Sequence, residues 1–151
     1  MTHTRALTSG EWAALSAGLV RALQAAGAEP RISNRAHPFA VIAGLWRGET
    51  PILALGRTVH WPRAPADLSG TRAMSVLQHE LQHVLDYAIG ALTPAGYAFL
   101  PRNWTYRVPS SGADWRRLGA EQRAVLAERL WLAEHDDPVA AQRLRAVIPW
   151  A

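Results

Sequence analysis

Cysteine is absent from this chain, and so is lysine. Without thiols there is neither a disulfide framework nor a thiolate metal site, so a metal ion could be held only by His, Glu or Asp. The same absence suits a cytoplasmic place of synthesis. All sixteen basic residues are Arg, and the formal charge is +4. They are scattered, with only Arg116 and Arg117 adjacent. The dense basic stripe that a phosphate-binding face needs is missing, and no nucleic-acid partner is expected. There is also no run of about 20 apolar residues, and Glu11 and Arg21 interrupt the Ala-rich segment that follows Met1-Thr2-His3-Thr4-Arg5. Neither a membrane span nor an export signal is therefore expected. Apolar residues at 49% and charged ones at 19% are an ordinary globular balance. A length of 151 residues suits one domain, 1–151, burying about two-thirds of its unfolded surface.

What is present is the stretch Val76-Leu77-Gln78-His79-Glu80-Leu81-Gln82-His83-Val84-Leu85-Asp86-Tyr87, which sets H-E-x-x-H in a run of helical period. This is the zincin signature. Residues four apart share a helix face, so His79 and His83 can turn imidazole nitrogens to one Zn²⁺. Glu80 beside them can take a proton from the attacking water and hand it to a leaving amine. The flanks Val76, Leu77, Val84 and Leu85 are apolar, as a half-buried active-site helix needs. The competing reading is a solvated polar stripe. Such a stripe is more commonly built from Lys, Arg and Glu than from a His pair.

Thr8-Ser9-Gly10-Glu11 reads as a capping box that opens a helix over about residues 9–26, stopped by Gly27. Between residues 28 and 65 the texture is strand-like. The runs Phe39–Ala43 and Ile52–Trp61 are expected as strands, with Gly44 and Gly48-Glu49-Thr50-Pro51 as turn. Leu55–Trp61 is the candidate to pair with an extended peptide. His60, between Val59 and Trp61, is read as a strand residue rather than a ligand. Ser69 or Thr71 can cap the motif helix, expected over 72–89 and closed by Gly90. Residues 91–118, rich in aromatics, Pro and Gly, are expected as loop walling a cleft, with a short extended piece at Trp104–Val108. Helical period returns from Gly119 to His135-Asp136-Asp137, and Asp137-Pro138 starts a last helix to about Val147.

Two His ligands leave a catalytic Zn²⁺ one protein ligand short, and a Glu is a standard third. Asp86, on the motif helix itself, is expected beside the site or exposed. The later helix offers Glu121, Glu128 and Glu134, and spacing alone favours neither Glu121 nor Glu128. They lie seven residues apart, about 10.5 Å along a helix axis, so only one can reach the metal. The other is expected at the core rim or paired with Arg123 or Arg129.

Gln78-His79-Glu80-Leu81-Gln82-His83-Val84, with the later Gly119-Ala120-Glu121-Gln122-Arg123-Ala124, resembles the small Vgr-related metallopeptidases of bacterial contractile injection and type VI secretion systems. In that family the motif helix often reads H-E-L-T-H-V-W-Q and a later helix E-Q-Q-A. The resemblance spans about residues 52–134 and implies a gluzincin-like site with Glu121 as third ligand and Tyr106 in the wall. The chain departs from the pattern at Gln82, Leu85, Asp86 and Arg123.

The expected fold is α+β: a small zincin-like domain with a short antiparallel sheet of two or three strands before the H-E-x-x-H helix. Three or four helices are expected in all. The expected function is zinc-dependent endopeptidase, with His79, His83 and Glu121 on the metal and Glu80 as base. Tyr106 is the first candidate to steady the developing oxyanion, ahead of Tyr97 and Tyr87. Expected partners are a peptide or protein substrate and secretion-system proteins, with delivery by such a system and no membrane partner. The alternative is a non-catalytic accessory component of a secretion particle with a structural or vestigial metal site.

Overall fold

The computed structural model describes residues 4–47, 50–110 and 112–151. The chain enters as strand β1 (Thr4–Ala6) and turns at Thr8 into helix α1 (Ser9–Ala14). The capping box forms as expected: the Glu11 N–H donates to the Thr8 hydroxyl at 3.1 Å, and the Thr8 N–H to the Glu11 carboxylate at 2.8 Å. The single helix expected over 9–26 is instead broken in two, α2 being Ala17–Ala25. Leu15 is extended there (φ −76°, ψ 159°). Distant helices take up the polar groups around the break. The Ser16 N–H donates to Gln78 Oε1 at 3.3 Å, the Ser16 hydroxyl to Glu134 at 2.6 Å, and the Trp131 indole to the Ala14 carbonyl at 2.7 Å. No local pattern announces such partners.

Strand β2 (Arg31–Ser33) is followed by helix α3 (Pro38–Arg47), which overturns the strand expected at Phe39–Ala43. An apolar run without alternation fits either state, and Pro38 is preset for a first helical turn. His37 completes that turn, its Nδ1 accepting from the Phe39 N–H at 3.2 Å. Gly48 and Glu49 of the expected turn lie outside the described residues. Strands β3 (Leu53–Leu55) and β4 (Thr58–His60) then form a hairpin through Gly56-Arg57, with Gly56 at φ 58°. A left-handed residue at that place is why glycine suits it.

The sheet order is β1-β2-β4-β3, with the outer pairs antiparallel and β2 parallel to β4. It is thus a four-stranded mixed sheet, not an antiparallel one, and β1 lies outside the expected 28–61 region. The parallel pair arises because α3 and β3 intervene between β2 and β4. It also changes which strand is free. β4 has neighbours on both sides, so the open edge near the motif helix is β3, not the Leu55–Trp61 stretch as a whole.

Helix α4 (Thr71–Ala88) carries the motif through the centre of the molecule. Its N-cap is Gly70, not Ser69 or Thr71; Ser69 instead bonds to Asp67. It ends at Gly90, whose φ is 73°. Leu77, Leu81 and Val84 are fully buried in a core shared with Leu19, Leu23, Ile32 and Val59. Each such side chain contributes about 1.5–3 kcal/mol by leaving water.

The aromatic stretch after α4 is more ordered than expected. It forms helix α5 (Pro94–Phe99), capped by Thr93, and two single 3₁₀ turns at Pro101–Trp104 and Trp115–Arg117. Thr105–Val108 has no strand pairing. Helices α6 (Ala120–Asp136) and α7 (Pro138–Arg145) follow near their expected limits, with Asp137 accepting from the Val139 and Ala140 N–H groups. A second apolar cluster, including Leu118, Leu130, Ala141 and Ile148, fixes α7 on α6. Seven helices are present among the described residues where three or four were expected, the extra ones arising from the break at Leu15 and from α3 and α5. None is long and apolar enough to cross a membrane.

Candidate metal centre

α4 and α6 lie side by side, and the candidate site is built where they meet. α4 supplies His79 and His83 one turn apart, and the first turn of α6 supplies Glu121. His79 Nε2 is 3.0 Å from Glu121 Oε2, His83 Nε2 is 3.4 Å from Glu121 Oε1, and one donor atom from each residue fits within 4.8 Å of the others. Two donors each about 2.1 Å from a tetrahedral ion lie about 3.4 Å apart, so the group has the size and chemistry of a metal site. His83 and Glu121 are almost fully buried, and the His79 side chain is 12% exposed, leaving one open side. His60 is elsewhere, its ring against His37 at 4.9 Å.

Glu121 is placed by its loop. The Ala120 N–H donates to Asn103 Oδ1 at 3.1 Å, and the Gly119 N–H to Gln122 Oε1 at 2.9 Å. Gly119 packs so tightly that a Cβ would run into the Arg102 carbonyl. The Tyr97 hydroxyl donates to Glu121 Oε1 at 2.6 Å. Burial works against charge on Glu121, yet the hydrogen bonds from His79, His83 and Tyr97 hold its carboxyl far below the usual range.

Glu128 does not face the core rim or pair with an Arg. Its carboxylate meets His79 Nδ1 at 3.2 Å, on the opposite side of the ring from Glu121. Accepting the Nδ1 proton would hold the ring and, once the Nε2 proton is displaced, leave Nε2 for a metal. With both carboxylates in contact, His79 is pushed up: burial alone would lower it, but the Glu121 and Glu128 hydrogen bonds raise it to about 10. The spacing of 121 and 128 puts them on one helix face, but contact with opposite nitrogens of one imidazole depends on the α4–α6 register, which sequence does not show.

Glu80 is buried beside this group, and burial raises its carboxyl above the usual range against the pull of His83 and His79. The Ala54 backbone on β3 favours the charged carboxylate, while Oε2 has no hydrogen-bond partner among the described residues. Of the three tyrosines, Tyr106 stacks on His79 with ring centroids 6.4 Å apart and is half exposed, so it stands at the mouth. Tyr97 is engaged by Glu121. The buried Tyr87 hydroxyl has no hydrogen-bond partner among the described residues and is pushed up to about 12 by burial and the carboxylates around it.

No family model, curated protein or solved structure matches the chain.

Asp86 is neither exposed nor in the metal group; it is fully buried and paired with Arg123. Three of the four departures from the resembled pattern, Gln82, Asp86 and Arg123, belong to one hydrogen-bonded network.

Proposed function

We propose that the chain is a zinc-dependent endopeptidase with a zincin-like site, in which His79, His83 and Glu121 hold the metal and Glu80 is the base. The observation that carries this is the convergence of three buried-site donors from two helices, with a buried carboxylate one residue along from the first. A bound Zn²⁺ supplies Lewis acidity that polarises a scissile carbonyl and makes water acidic. Glu80, its proton affinity raised by burial, takes a proton from the attacking water and passes it to the leaving amine. Glu128 holds His79 in the ligating tautomer, and Tyr106 at the mouth is the donor best placed to meet an oxyanion. The free edge of β3 offers the backbone against which an extended peptide or protein substrate lies. The resemblance to Vgr-related metallopeptidases supports synthesis in the cytoplasm, delivery by a contractile secretion system and secretion-system proteins as partners.

The test is zinc content and hydrolysis of an unfolded protein substrate by wild type and Glu80→Gln. Glu80→Gln is expected to keep one zinc per chain and lose cleavage by about 10²-fold or more. Undiminished cleavage by Glu80→Gln would remove it as base. A wild type that holds zinc yet cuts nothing would favour a non-catalytic secretion component.

A further inference from the structure

We infer that the buried Asp86–Arg123 ion pair is a positioning device that holds Glu121 in reach of the two histidines. The inference rests on the metal-binding reading of the site. Asp86 lies three residues beyond His83 on α4, and Arg123 two residues beyond Glu121 on α6. Their contact therefore ties together the two helices that share the site, within one turn of the ligands on each. Arg123 Nε donates to Asp86 Oδ2 at 3.0 Å, and Nη2 lies 2.9 Å from the same oxygen in an ion pair. Nη1 donates to the Leu118 carbonyl at 2.6 Å, just before α6 begins. Asp86 Oδ1 accepts from Gln82 at 2.8 Å, and Gln82 Oε1 from the Trp150 indole at 2.9 Å.

Asp86 and Gln82 are each 1% exposed and Arg123 is 8% exposed, so this network makes its bonds inside the protein. None of its members is in the His79, His83, Glu121 group, so it acts on the metal only through them. A buried ion pair is a weak source of net stability, because desolvation offsets most of its attraction, but its geometry is demanding. A guanidinium paired with a carboxylate on one side and bonded to a fixed carbonyl on the other favours one position of α6 along α4. One turn of sliding would carry Glu121 about 5 Å away from the histidines.

Zinc affinity, read by competition with a chromophoric chelator, is measured for wild type, Asp86→Asn, Glu121→Ala and the double variant, alongside thermal unfolding of each metal-free protein. Asp86→Asn is expected to weaken zinc binding about 10- to 100-fold. With Glu121 already Ala, the same change should alter affinity by less than about threefold, because the group it positions is gone. A merely structural role would move unfolding temperature and leave affinity, or lower affinity equally in both backgrounds. If Asp86→Asn does not fold, Asp86→Leu/Arg123→Met takes its place, since it leaves no charge unpaired. That variant is expected to fold and to show the same background-dependent loss. Equal loss in both backgrounds, or none in wild type, overturns the inference alone. A wild type that binds no zinc overturns the metal reading and the inference with it.

Discussion

On the proposed metal reading, removing the Glu121 carboxylate takes away one of three protein donors, whereas removing the Glu128 carboxylate takes away only the group behind one of them. The two losses should differ in size. Structural zinc sites with four protein ligands are worth about 10–16 kcal/mol, or roughly 3 kcal/mol per ligand, so Glu121→Ala should weaken zinc binding about 10²- to 10³-fold. Glu128 meets His79 Nδ1 at 3.2 Å and is about a third exposed. Groups in that position cost about 10–100-fold, and its exposure places Glu128→Ala at the lower end. Glu128→Gln should recover less than Glu128→Asp, because an amide oxygen is a weaker acceptor for the Nδ1 proton. Chelator competition at fixed pH and salt measures each. If Glu128→Ala lost as much zinc affinity as Glu121→Ala, or Glu121→Ala lost none, the division between ligand and ring-holder would be wrong.

The pH dependence carries a definite sign. Without metal, His79 is raised from its ordinary 6.5 to about 10, so its contribution to stability is complete below 6.5 and is lost as pH rises to about 10. Glu121 is depressed below its ordinary 4.5, so its contribution is present above 4.5 and lost as pH falls. Metal-free protein should therefore be most resistant to urea between about pH 4.5 and 6.5. Zinc must displace the His79 proton, so its log affinity should rise with pH by about one per unit up to about 10, with near one proton released per ion; a flat profile from 6.5 to 9 would refute the shift. Gly119→Ala would press a methyl into the Arg102 carbonyl. The expected cost is about 1–3 kcal/mol, or roughly 3–10 °C in Tm by calorimetry, with weakened zinc binding because Glu121 begins two residues later. An unchanged Tm would mean the loop yields freely.

Features written in local sequence proved legible. The reciprocal bonds of Thr8 and Glu11, the stop at Gly90 and the Asp137-Pro138 start need only neighbours within a few residues. So does the alignment of His79 and His83. The proximity of Glu121 to both was an expectation that needed the α4–α6 packing to be seen. What local pattern could not carry were choices made by distant partners. Leu15 leaves the helix because Gln78, Glu134 and Trp131 take the surrounding polar groups, and β2 pairs with β4 across the intervening α3 and β3. The Phe39–Ala43 run has no alternation to mark it as strand, and Pro38 was the overlooked signal of a helix start. Glu128 was misplaced for a related reason: an Arg neighbour in sequence is a common partner, but His79 is the nearer one in space.

β3 is three residues long, and in a hairpin closed by two residues, the flanking pair Leu55–Thr58 bonds inward. Ala54 is then the residue whose backbone groups point to the open edge, and that backbone favours the charged form of Glu80. On the proposed function, a peptide laid along this edge would compete with Glu80 for a single amide. Glu80 would then lose an interaction that favours its charged form, and its affinity for a proton would rise. Recognition and basicity would then be two readings of one backbone amide, and a substrate with no amide-seeking carbonyl at that position would meet a weaker base.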